Sequence, residues 1–108
     1  MKLTPEEAKK FWPIYDDYQR DLDKISQRQN RVVLDYVNTE DSMTDANAKR
    51  LAEEFLEADA DEMKLREKTM KKAMGALPAR KAARFLQIEN KIRTLNRFDL
   101  AERIPLVK

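Results

Sequence analysis

Three methionines recur at helical spacing in the second half of the chain, at Met63, Met70 and Met74. Thioether sulfurs placed along one helix face could bind Cu(I). The chain has no His and no Cys to complete such a site, and the rest of the same stripe is largely apolar. Methionine also fills irregular gaps in hydrophobic cores. We therefore interpret these side chains as core residues rather than copper ligands.

A dense group of carboxylates precedes the methionines and could bind a hard cation. Its members are Glu53, Glu54, Glu57, Asp59, Asp61 and Glu62. Calcium loops place oxygen ligands around a glycine turn, and carboxylate di-iron bundles use a Glu-x-x-His motif. Neither pattern occurs here, so we interpret the carboxylates as a solvated helix face. Without His or Cys, and with no carboxylate marked as an acid or base, we predict a protein that is not an enzyme and has no metal site and no cofactor.

Basic side chains form the third candidate site. The residues that we predict to contact a client or partner protein are Lys64, Lys68, Lys71 and Lys72 on one helical face and Arg80 and Arg84 on another. Patches of this kind also suit phosphate groups. Aromatic platforms for stacking bases are missing, because Phe85 and Phe98 fall on a predicted core stripe. Nucleic-acid binding is therefore the weakest alternative.

The densest aromatic segment lies around Pro13. Its apolar side chains Phe11, Trp12 and Ile14 have two interpretations. They form either a hydrophobic plug at a helix break, which we favour, or a contact surface for another chain.

The elements that position these residues begin with a complete helix-start motif. Thr4 suits the N-cap, Pro5 the first helical position, and Glu7 completes a capping box. Pro13 follows soon after, and a proline inside a helix costs about 3 kcal/mol. We predict a short helix over 5–11, a kink or break at Trp12-Pro13, and a long helix over 13–37.

Two further helices complete the prediction of a single all-α domain over residues 1–108, with four helices in total. Thr44 or Ser42 caps a helix over 45–74, which Gly75 ends in a left-handed conformation. Pro78 opens a final helix that reaches about Glu102. Its predicted core stripe is Ala82, Phe85, Ile88, Ile92, Leu95 and Phe98.

Charge is divided unevenly along the chain although the total is only +2. Residues 38–61 carry two basic and eight acidic side chains, a net charge of −6. Residues 62–108 carry thirteen basic and five acidic side chains, a net charge of +8. This division favours self-association or a partner of complementary charge.

Taken together, the two helix starts resemble motifs of the Spy/CpxP group of periplasmic stress proteins. Leu3-Thr4-Pro5-Glu6-Glu7 is similar to the LTxxQ box of that group, with Glu7 in place of the Gln. Residues 77–93, which begin Leu77-Pro78-Ala79, look like its second conserved region. The resemblance implies a small all-α, cradle-shaped homodimer. It also implies a chaperone-like or sensory role in the envelope and no catalytic residue. Some members bind metals through His, which this chain lacks.

Our leading hypothesis is a periplasmic, ATP-independent chaperone-like or envelope-stress protein that binds unfolded clients. The alternative from another class is a regulatory interaction domain for one partner, such as a sensor. We expect a removed signal peptide ahead of the chain, while a cytoplasmic location stays open. We expect no membrane insertion, because no long apolar run occurs.

Overall fold

The computed structural model describes residues 2–108, and within them the chain forms three α-helices and no strand. Helix α1 spans Pro5–Asn38, α2 spans Asp45–Ala76, and α3 spans Ala79–Arg103. One turn of 3-10 helix at Glu40–Ser42 lies between α1 and α2. The all-α prediction is confirmed, whereas the prediction of four helices is wrong.

The predicted capping box at the start of α1 is formed. The Thr4 backbone N–H donates to Glu7 Oε1 at 2.9 Å, and the Glu7 N–H donates to Thr4 Oγ1 at 3.2 Å. Pro5 occupies the first helical position. These contacts satisfy backbone donors that the first helical turn leaves free.

Pro13 neither ends nor interrupts α1, which corrects the predicted break at Trp12-Pro13. The proline ring is exposed inside a continuous helix. A proline removes one backbone hydrogen bond, here the one to the Lys9 carbonyl, at a cost of about 3 kcal/mol. Phe11 and Tyr18 flank it, and both are buried. Burial of each such side chain contributes about 1.5–3 kcal/mol, so packing offsets the loss.

Thr44, rather than Ser42, caps α2, and its Oγ1 accepts the Asn47 N–H at 3.1 Å. The predicted left-handed end at Gly75 is wrong, since no residue in the range 2–108 has positive φ. The helix continues through Gly75 to Ala76. It stops at Leu77, whose extended backbone is the one that a following proline favours.

The three helices lie side by side in an elongated body of 55 × 19 × 16 Å. Antiparallel α1 and α2 are linked by Arg28–Asp61 and Arg50–Asp35 ion pairs. Helix α3 returns along them, parallel to α1. The radius of gyration is 17.2 Å, whereas a compact chain of this length has about 13 Å. Such a thin body has room for only a small core.

The core lies at the end where α1 begins and α2 turns into α3. Its buried residues are Phe11, Tyr18, Ala73, Leu77, Ala82 and Phe85. The Phe11 and Phe85 rings meet edge to face with centroids 5.1 Å apart, a favourable arrangement for aromatic rings. Smaller buried positions, including Ile25, Val32 and Leu51, continue the α1–α2 contact toward the other end.

Candidate functional site

The second half of α3 contacts α2 through charged side chains. Arg93 Nε lies 3.3 Å from Glu62 Oε2, and Arg97 Nη1 contacts Asp59. Further along, Arg103 Nη1 donates to Asn30 Oδ1 of α1 at 3.2 Å. Glu62 is buried, although the sequence predicted a solvated acidic face. Asp59 and Asp61 of the acidic segment 38–61 are also paired with arginines of the same chain, so part of the charge that favours self-association or a complementary partner is neutralised internally.

This ionic contact turns the apolar side of α3 toward solvent. Of the predicted core stripe, Ala82 and Phe85 are buried, but four later members are exposed. We call these four the α3 stripe: Ile88, Ile92, Leu95 and Phe98. Their exposed fractions rise from 39% at Ile88 to 70% at Leu95. The prediction that they form core is wrong, because Glu89, Arg93 and Leu100 occupy the inner face instead.

A second apolar surface lies on the other flank of α3. It is an open groove of about 600 Å³ between α2 and α3. Its apolar lining, Met63, Met70, Met74 and Leu86, defines what we call the methionine groove. Met63 and Met74 are 44% and 53% exposed, so these two are not the core residues that the sequence predicted. Met70 alone packs against the core.

The predicted basic site residues lie on the surface of two helices. Lys64, Lys68, Lys71 and Lys72 are exposed on α2, and Arg80 and Arg84 are exposed on the first turns of α3. Among the described residues none of the six forms an ion pair, in contrast to Arg93 and Arg97. These six side chains therefore present uncompensated positive charge to solvent.

The predicted apolar contact residues divide between core and surface. Phe11 is 1% exposed and belongs to the core, while Trp12 is 48% exposed and Ile14 is half-buried. The Trp12 ring packs edge to face on Phe11 and Tyr15, with centroids 5.3 and 5.5 Å apart. Only Trp12 offers a large apolar area to another chain.

A cavity of about 240 Å³ lies between the three helices, near the ionic contact. Tyr18 and the buried Glu89 are part of its lining. Burial raises the pKa of Tyr18 to about 12, and the nearby Glu89 carboxylate adds to the rise. Within residues 2–108 the side chains form no cluster of three or more potential metal ligands.

Comparisons with protein-family models, curated proteins and solved structures found no match. The resemblance to the Spy/CpxP group thus remains a prediction from the two helix-start motifs. None of the helices in the described part of the chain is long and apolar enough to cross a membrane.

Sequence reasoning missed both exposed apolar surfaces. One signal was available for the α3 stripe. Arg93 and Arg97 are four residues apart and therefore share a helix face, and a long acidic run upstream could pair with that face. For the methionine groove, Glu67 lies between Met63 and Met70, which marks that stretch of helix as partly solvated.

Proposed function

We propose that this protein is a non-enzymatic polypeptide-binding protein that holds unfolded clients without ATP, as a chaperone-like protein of the envelope. The observation that carries the proposal is the α3 stripe. Four large apolar side chains share one side of a helix, and ionic contacts fix that helix with this side outward. Contiguous exposed apolar surface is typical of sites for protein partners.

The shape of the molecule supports the same function. A folded monomer of 12.7 kDa exposes about 6200 Å² of surface, whereas this chain exposes 7782 Å². The excess belongs to the thin, elongated body of 55 × 19 × 16 Å. Loose binding of varied chains needs accessible apolar side chains and flexible cations rather than an enclosed site. The α3 stripe and the uncompensated lysines supply these two components.

The test is suppression of aggregation of two unrelated reduced proteins, insulin and α-lactalbumin, without ATP. The chain contains no cysteine, so the reductant leaves it unchanged. We expect wild type to suppress aggregation of both proteins. Leu95→Gln/Phe98→Gln should lose this activity, because it removes the apolar area but leaves the ionic contact intact. Leu34→Gln/Val37→Gln, at positions 56% and 48% exposed on α1, is the matched control and should retain activity.

If wild type suppresses neither protein, the chaperone proposal is wrong and the regulatory interaction domain takes its place. A single saturable partner on immobilised protein would support that alternative. Salt-sensitive retention on DNA or RNA would support the weaker nucleic-acid alternative. Cell fractionation tests the periplasmic location, which rests on the family resemblance.

We also propose that the protein is a homodimer, and sedimentation separates this from client binding. A monomer at tens of micromolar would contradict the dimer. If Leu95→Gln/Phe98→Gln converts a dimer into a monomer, the α3 stripe is the dimer interface. If the variant stays dimeric and loses suppression, the stripe binds clients.

A further inference from the structure

The methionine groove is a surface separate from the α3 stripe. Leu86 lines the groove, and Leu95 belongs to the stripe. The two positions are nine residues apart, which at 3.6 residues per turn places them on opposite sides of α3, about 180° around its axis. A ligand in the groove therefore does not occupy the stripe.

The dimensions of the groove suit a helix better than a small molecule. Met63 and Met74 line it and are eleven residues apart on α2, about 16 Å at a rise of 1.5 Å per residue. That length matches three turns of a second helix. Drug-sized ligands are usually enclosed on most of their surface, whereas this groove is open along its side. Flexible methionine side chains adapt to the apolar face of a bound helix.

The charges around the groove favour an acidic partner. Lys71 and Arg66 line it, and among the described residues neither forms an ion pair. Arg66 bonds only the neutral Asn90 side chain. The one carboxylate in the lining is Glu67.

A second copy of the chain is a poorer occupant. Two cations, Arg84 and Lys91, lie next to its most exposed apolar helix face, the α3 stripe. Each lies four residues before a stripe member, Ile88 and Leu95, and so borders the stripe on the helix surface. Docking of that face would bring cations against the basic rim of the groove.

We propose that the methionine groove binds an amphipathic helical segment of another protein, with its apolar face on the methionines and acidic side chains toward Arg66 and Lys71. This goes beyond the capture of unfolded chains, because it selects a helix and a charge. It also uses the side of α3 opposite to the α3 stripe.

The probe is a fluorescein-labelled synthetic peptide of about four helical turns, with Leu at positions i, i+3, i+4 and i+7 and Glu along both flanks. A second peptide replaces Glu by Lys, and a third carries Pro at its centre to break the helix. Fluorescence anisotropy with wild-type protein should show binding of the acidic peptide at least about tenfold tighter than either control, a difference of about 1.4 kcal/mol.

Variants of the protein locate the site. Met63→Gln/Met74→Gln changes two exposed positions and should weaken binding about tenfold, as expected when anchor contacts are lost. Lys71→Gln should weaken binding and flatten its salt dependence. Leu95→Gln/Phe98→Gln should leave the affinity unchanged, while it abolishes aggregation suppression.

The inference is wrong if the acidic peptide does not bind, or if the acidic and lysine peptides bind equally well. It is also wrong if Leu95→Gln/Phe98→Gln loses as much affinity for the acidic peptide as Met63→Gln/Met74→Gln does. Failure of aggregation suppression with intact peptide binding would overturn the proposed function alone. Client binding by the α3 stripe and helix binding by the methionine groove can therefore each be contradicted without contradicting the other.

Discussion

Lys81 Nζ lies 2.5 Å from Glu7 Oε1 and joins the first turns of α3 and α1 across 74 residues of sequence. Glu7 also accepts the Thr4 N–H in the capping box. One carboxylate thus completes the start of α1 and holds the start of α3 beside it. The Lys81 ammonium, followed by the Thr4 N–H, holds the pKa of Glu7 below its ordinary value of 4.5.

The first prediction concerns the pH dependence of this ion pair. Because the pKa of Glu7 is lowered in the folded state, the unfolded state binds more protons as pH falls below 4.5. The stabilisation is therefore present above 4.5 and is lost as pH falls through the lowered pKa. Glu7→Gln keeps the cap acceptor but removes the charge, and should lower Tm at neutral pH with a difference that shrinks in acid. Glu6→Gln is the control; identical pH profiles for both variants would contradict us.

The second prediction concerns Pro13. Pro13→Ala restores the hydrogen bond to the Lys9 carbonyl in an already continuous helix. The helix gains about 3 kcal/mol, and the unfolded chain regains freedom worth about 1 kcal/mol, so we expect net stabilisation of about 2 kcal/mol. Urea unfolding measures the stability, and circular dichroism should show unchanged helix content. A clear gain of helix would instead support a break at Pro13.

The third prediction compares adjacent aromatic residues. Phe11→Ala removes a ring that is 1% exposed and contacts Phe85, and should cost about 3–5 kcal/mol of unfolding free energy. Trp12→Ala removes a ring that is half exposed and should cost about 1 kcal/mol, the worth of its edge-to-face contacts. Equal losses in urea unfolding would mean that Trp12 is also buried, for example by a second chain.

The fourth prediction concerns the ionic attachment of α3. Arg97→Gln removes the cation that contacts Asp59 and leaves that carboxylate less compensated. We expect amide hydrogen exchange to accelerate in residues 93–103 more than in 79–88, which are held by Phe85 and the core. Arg20→Gln, which removes an exposed pair with Asp17, is the control and should change neither. Equal acceleration of exchange in both segments would contradict the conclusion that the core holds the first half of α3 and ion pairs hold the second half.

The fifth prediction concerns Tyr18. Its phenol should lose its proton only at high pH, with a pKa of about 12. Because the folded state holds this proton more tightly than the unfolded state, stability is complete below the ordinary value of 10 and falls as pH rises toward 12. An absorbance titration of phenolate formation should lose its last component in Tyr18→Phe. If that component persists in the variant, another residue carries it.

Local signals in the sequence predicted the helices better than their number. The Thr4 capping box and a cap at Thr44 or Ser42 were predicted from side chains within one helical turn, and Thr4 and Thr44 form these caps. Pro78, expected in the first turn of the last helix, is instead the N-cap residue of α3. The helix break predicted at Pro13 and the left-handed helix end predicted at Gly75 also rested on neighbouring residues only, and both predictions were wrong. At Pro13, the cost of a proline inside a helix is offset by the burial of Phe11 and Tyr18 against other helices. At Gly75, the end of α2 is set by the turn at Leu77-Pro78 rather than by the glycine.

The candidate site depended even more on tertiary structure. The sequence identified the exposed lysines, because a charged residue without a partner stays in water wherever its helix lies. It could not show which face of α3 points inward, since both an apolar and a charged face were available. The pairing of Arg93 and Arg97 with Asp59 and Glu62 decides that orientation.

Residue types and their spacing were enough to predict an all-α chain, the starts of its helices, and a surface rich in unpaired lysine. These properties follow from residue type and from neighbours within a few positions. Three outcomes came from helix packing: α1 is continuous, part of the acidic segment is neutralised within the chain, and the α3 stripe and methionine groove face solvent. Each of these outcomes is a balance between local cost and contacts with residues far away in sequence, and that balance exists only after the helices have packed.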